Sequence, residues 1–111
     1  MPLTNAMPPL ISEQDAEPGI SENYLKEELD KIKNSLPTYV SNWNVAFKRD
    51  NSNDPAIYVH GTVDDDDVKD EKTRFGRRRE IRTIVRDLIG EKINYRRFVY
   101  VHFHIPSDFE E

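Results

Sequence analysis

Three histidines are the first residues whose spacing can do chemistry. His102 and His104 are separated by one residue, and His60 lies far upstream. On a β-strand alternate side chains point the same way, so His102 and His104 share a face. If His60 joins them, three imidazoles form a metal site of the kind zinc uses, with a carboxylate from Asp64–Asp67 close by. The plainer reading is an amphipathic sheet face or a dimer interface, and the chain is expected to need no cofactor. The aspartate run can also attract a hard cation. It does not match a calcium loop. The nearest such string, Asp50-Asn51-Ser52-Asn53-Asp54, is followed by Pro55 where the turn glycine belongs, and Gly61 stands where the bidentate glutamate belongs.

Arginine supplies the second chemistry. Arg74, Arg77, Arg78, Arg79, Arg82 and Arg86 crowd one segment, with Arg79, Arg82 and Arg86 at i, i+3 and i+7. That spacing makes a helical stripe of planar donor forks suited to phosphates or carboxylates. FGRRRE is expected near the start of its helix, where backbone amides also favour anions. The stripe therefore reads either as a nucleic-acid surface or as a partner for the neighbouring DDDDVKDE acids. No glycine-rich phosphate loop, GxxG clamp or RNP-type aromatic motif accompanies it. No nucleophile elbow is present either, and no histidine has an evident orienting acid, so no enzyme is read.

Composition bounds these readings. The 111 residues carry 16 Lys+Arg, 21 Asp+Glu and no cysteine. Disulfides, thiolate metal sites and cysteine nucleophiles are thereby removed. No stretch approaches a membrane span, and Met1–Gly19 lacks the basic and apolar regions of a signal peptide, so a cytoplasmic location without membrane contact is expected. The net charge of −5 is a sum of opposites: residues 72–97 hold 10 basic and 3 acidic side chains, and the rest hold 6 and 18. A basic block set in an acidic surround keeps polyanion binding open.

The elements that position these groups follow from periodicity. Residues 1–20 are rich in proline and poor in bulky side chains, and read as a disordered or loosely docked tail. Ser21 is a helix N-cap, Leu25, Leu29, Ile32 and Leu36 form one apolar stripe, and Pro37 stops the helix. Glu22/Lys26 and Glu27/Lys31 are spaced for ion pairs along it. Trp43, Val45 and Phe47 alternate with polar residues as a strand, Asp50–Pro55 is a turn, and Ala56–Val63 is a second, antiparallel strand. Ile81, Ile84, Val85, Leu88 and Ile89 mark a second helix, with Phe75 joining its buried face and Gly90 as its left-handed exit. In the last strand, Arg97–Ile105, Val99, Val101, Phe103 and Ile105 take one face and Phe98, Tyr100, His102 and His104 the other.

The order α-β-β-α-β predicts an α+β domain over residues 21–106, a three-stranded sheet with both helices packed on one face, and an acidic tail at 107–111. The third strand can lie parallel to the second or antiparallel to the first. Tyr58 and His60 share the open face with Tyr100 and His102 if Ile57, Val59 and Val63 point inward.

NWNVAFKRDNSNDPAIYVHGTV, RRREIRTIVRDLI and RRFVYVHFHIP together resemble a set of small, functionally uncharacterised bacterial proteins found beside predicted toxin or effector genes. The resemblance covers about residues 42–106. It implies a regulatory or antitoxin-like partner of a neighbouring gene product and supplies no catalytic residues. The element order also looks like KH-type modules and small metal-transporter domains, at the level of fold alone. The expected function is thus non-enzymatic protein binding through Arg77, Arg79, Arg82, Arg86, Tyr58, Tyr100 and His102. Nucleic-acid binding through the arginine helix is the alternative, and metal binding by His60, His102 and His104 the third. A homodimer is compatible with each.

Overall fold

The first apolar stripe folds as expected in the computed structural model, which describes residues 16–106. Helix α1 runs Glu22–Lys31, and the Ser21 hydroxyl accepts from the Tyr24 N–H, satisfying one of its free amides. Leu25 and Leu29 are fully buried. A short 3₁₀ turn, Lys33–Ser35, follows, and Leu36 is already extended ahead of Pro37. The polar pairs differ from those expected. Glu22 accepts from the Phe47 N–H at 2.7 Å, and Lys31 meets Glu28 instead of Glu27. Glu28 also holds Lys92 at 3.1 Å, which ties the first helix to the second.

Strands β1 (Val40–Arg49) and β2 (Pro55–Val63) form an antiparallel hairpin. Pro55 opens β2, where a missing N–H costs the ladder least. Asp50 organises the turn: its Oδ1 accepts from the N–H groups of Ser52 and Asp54. Asn53, at φ 65°, takes the left-handed position. The pairing shifts between Ser41 and Asn44, where Asn42 adopts φ 53°. That β-bulge lets Val40 and Trp43 both face the core although they are not an even number of residues apart.

Helix α2 spans Glu71–Lys92, and Asp70 is its N-cap, accepting from the Thr73 N–H. Two expectations need correction here. Phe75 is exposed, because at about 100° per residue it lies roughly 120° around the helix from Ile81 and about 80° from Val85, off the buried stripe. Gly90 lies inside the helix, and the left-handed exit falls on Asn94 and Tyr95, with φ of 58° and 55°. The Tyr95 N–H returns to the Gly90 carbonyl and the Asn94 N–H to that of Glu91, a Schellman closure. Gly90 serves a different need: a Cβ there would stand 2.5 Å from the Tyr95 ring.

Strand β3 (Phe98–His104) lies parallel to β2, giving the order β1-β2-β3. Both helices bury their stripes on one face of this sheet. The core joins Leu25 and Leu29 to Ile81, Val85 and Ile89 over Val45, Phe47, Ile57, Val59, Val63 and Val101. Within the stretch read as a tail, Glu17 is buried and paired with Arg96 and Arg97, and Ile20 packs against the core. Residues 1–15 and the acidic tail at 107–111 lie outside the described residues. Among the described residues no helix is long and apolar enough to cross a membrane.

Gly76 offers a direct stability test. It sits within α2 with open space where a side chain would go. Gly76→Ala is expected to stabilise the protein by about 0.5–1 kcal/mol, by restricting the unfolded chain and raising helix propensity. Urea unfolding would measure it.

Candidate functional site

The register of β2 against β3 builds the open face. Tyr58 pairs with Tyr100, His60 with His102 and Thr62 with His104. Because Ile57, Val59 and Val63 are buried inward, strand alternation turns Tyr58 and His60 outward beside the aromatic row of β3. The rings of Tyr58 and Tyr100 stack at 5.1 Å, those of His60 and His102 at 5.2 Å, and those of His60 and His104 at 5.1 Å. Tyr58 also faces His102 at 6.1 Å, and Phe98 tilts against Tyr100 at 6.4 Å. The result is one contiguous array of six rings on a face that no described helix or strand covers.

Side chains at the rim hold the array. The Tyr100 hydroxyl donates to Asp50 Oδ2 at 2.9 Å, coupling the hairpin turn to β3. This bond to a carboxylate raises the Tyr100 pKa. The Asp54 N–H, followed by the Tyr100 hydroxyl and the Ser52 N–H, holds Asp50 below the usual carboxylate range. Lys48 lies over the Tyr58 ring at 4.5 Å. The sequence named Asp50 as the start of a turn and of a string compared with a calcium loop, and did not name Lys48 as a site residue. The outward parity of Lys48 on the first strand was the available signal; the contact of Asp50 with Tyr100 had none, since it depends on the turn meeting β3.

The stacking decides what the face can offer. Tyr58 with Tyr100 and His60 with His102 lie side by side as nearly parallel rings, whereas His60 and His104 meet edge to edge through their nitrogens, so the surface presents ring bodies, hydroxyls and imidazole nitrogens. Two of these imidazoles spend facing nitrogens on each other, and the nearly parallel rings do not aim three nitrogens at one point about 2.0–2.1 Å away, as a metal needs. Among the described residues no group of three His, Asp or Glu side chains is placed to hold a metal ion.

His60 and His104 approach closest, with Nδ1 and Nε2 2.9 Å apart. One proton fits between them; a second would leave two donors facing each other. Burial, then the charges of His102, His104 and Lys48, lower the His60 pKa below the ordinary 6.5. The unfolded chain therefore takes up this proton first as pH falls. Stability from this site is full above about pH 6.5 and declines toward the lower folded pKa, by at most about 1.4 kcal/mol per pH unit. Urea midpoints at pH 7.5 and 5.5 are expected to show the loss, and His60→Gln to reduce it.

The arginines separate into two groups. Arg78 makes a two-pronged pair with Asp65, at 2.7 Å for each bond. Arg82 lies 5.2 Å over the Phe103 ring and reaches the Val101 carbonyl at 3.4 Å. Arg77, Arg79 and Arg86 are exposed, and no described carboxylate stands within ion-pair reach of them. FGRRRE begins one turn inside α2, and Asp70 already accepts at the helix start, so this segment is not an amide-lined anion site.

These geometries define an α+β domain with one sheet face covered by the helices and the other uncovered among the described residues. Comparison with family models, with curated proteins and with solved structures returns no match to the chain.

Proposed function

We propose that this chain is a non-enzymatic binding protein that meets a protein partner through the open sheet face. The observation that carries this reading is the uncovered ring array formed by Tyr58, His60, Phe98, Tyr100, His102 and His104. Apolar ring bodies with hydrogen-bonding edges suit a protein interface, where aromatic side chains dominate the binding energy. Phe98 stands 65% exposed at one end of the array, a large side chain available for a partner's pocket. The regulatory, antitoxin-like form of this role and a cytoplasmic setting rest on the resemblance of residues 42–106 and on the sequence's charge and composition.

Coexpression with each product of the adjacent genes tests the proposal. One of them is expected to form a stoichiometric complex, and Phe98→Ala with Tyr100→Ala to weaken it at least about 30-fold, the scale of one interface hot spot. Failure of every neighbour to bind, or equal binding by the double variant, refutes the reading.

A second reading has its own observation, the three exposed arginines without described acidic partners. Nucleic-acid binding through Arg77, Arg79 and Arg86 predicts strong salt dependence. Replacing all three by alanine should flatten the log–log salt slope by about 2–3 on duplex DNA.

A further inference from the structure

Among the described residues strand β3 is an edge that pairs with β2 on one side only. Its other side is where Arg82 reaches the Val101 carbonyl. The N–H and C=O of one strand residue point to the same side, and direction alternates along the strand. Val99 and Phe103 therefore turn their backbone groups to the same open side as Val101. Such a row is a template for another strand.

Helix α2 runs alongside this edge in the opposite sense. Gly90 and Arg86 share a groove with Phe98, Val99 and Tyr100 at the start of β3. Arg82 stands at Val101 and Phe103, further along. Arg79 precedes Arg82 by three residues, so it continues the same helical row toward the strand's end. Burial, followed by the charges of Arg86 and Arg78, lowers the Arg82 pKa. Asp87 is the acidic residue lining the groove.

We propose that the β3 edge is a docking site for an extended acidic segment of another protein. The segment adds as a fourth strand to Val99, Val101 and Phe103, taking the Val101 carbonyl over from Arg82, and its carboxylates meet Arg79, Arg82 and Arg86. Main-chain bonds supply affinity and the arginine row selects for acidity. The positive flank is also what disfavours a second copy here. Two β3 edges paired about a two-fold would set arginine row against arginine row, and like charges in apposition are repulsive. This surface meets the open face at Phe98 and Tyr100, but its test reads the β3 amides and the arginines, so either proposal can fail without the other.

The probe is a capped peptide of alternating glutamate and valine, with the same peptide N-methylated on alternate amides and a lysine-for-glutamate version. The glutamate peptide is expected to slow amide exchange at Val99, Val101 and Phe103, followed by NMR. N-methylation is expected to weaken binding at least ten-fold, because charge remains while strand pairing is blocked. Arg79→Glu with Arg86→Glu, both at exposed positions, should weaken it at least ten-fold. Equal binding of the N-methylated or lysine peptide overturns the proposal, as does no binding or unchanged exchange at the three amides. Protection of those amides before peptide is added, by a second copy or by the chain itself, also overturns it. So does slowing of the same amides by single-stranded DNA in preference to the glutamate peptide.

Discussion

Gly61→Ala is expected to unfold about 2–3 kcal/mol more readily than the natural protein, with the midpoint of thermal unfolding lowered by about 10–20 °C. A Cβ at Gly61 would stand 2.6 Å from Val40 Cγ1, 2.9 Å from Trp43 Cζ3 and 3.1 Å from Trp43 Cε3. Neither neighbour has room to yield. Val40 is fully buried and Trp43 is 4% exposed, both within the core that joins the helices to the sheet. The bulge before Asn44 is what brings both side chains over β2 at this point. Gly61 therefore marks a close approach rather than a flexible strand. His60 is its neighbour in sequence, so distortion here also disturbs the ring array. Urea unfolding followed by tryptophan fluorescence would measure the loss, since Trp43 is the only tryptophan. A change below about 1 kcal/mol would show that the bulge can relax. Gly61→Val should be worse than Gly61→Ala, whereas Gly76→Ala is expected to stabilise.

Arg78→Ala is expected to cost about 2–4 kcal/mol at neutral pH. Asp65 is 2% exposed, and both its oxygens accept from Arg78. Removing the arginine leaves a carboxylate without its partner in a poorly hydrated position. The sign of the pH dependence follows from Asp65. Its hydrogen bonds from the Arg78 guanidinium, and then the charges of Arg78 and Arg74, hold its pKa below the ordinary carboxylate value. The stabilisation is therefore complete above the unfolded value of about 3.9 and is lost as pH falls through the folded pKa. The difference between Arg78→Ala and the natural protein should shrink below about pH 4. Asp65→Asn combined with Arg78→Ala should be more stable than Arg78→Ala alone, because no charge is then stranded. Denaturant unfolding at pH 7 of the natural protein, Arg78→Ala, Asp65→Asn and the double variant gives the coupling energy. A cost under about 0.5 kcal/mol for Arg78→Ala would mean that Asp65 finds water or Arg74 instead.

The pair also resolves a question posed by the charge pattern. The acidic run and the arginine helix are partly each other's partners, but through Asp65 and Arg78 alone among the described pairs between them. Asp64, Asp66 and Asp67 remain exposed, as do Arg77, Arg79 and Arg86. Charge counts cannot make that distinction, since it depends on which carboxylate the chain tucks under the helix as it leaves β2.

Local periodicity was enough to place the elements and their faces. A repeat of 3.6 put Leu25 and Leu29, and Ile81, Val85 and Ile89, on buried stripes. A repeat of two put Tyr100, His102 and His104 on one side of their strand. Those patterns report burial residue by residue, so they survive without knowledge of neighbours. The expectations that missed were Phe75, which lies off the stripe of Ile81, Val85 and Ile89, and Gly90, where the helix end depends on the left-handed Asn94 and Tyr95. The pairing of β3 with β2 was decided only by the tertiary structure. Its contacts join residues more than forty positions apart, and no local repeat encodes which strand edge meets which. That pairing sets Tyr58 against Tyr100 and His60 against His102 and His104, and leaves β3 as an edge beside the arginine row. The sequence by itself determined which side chains are available on each surface. Strand order and register decided which of them touch.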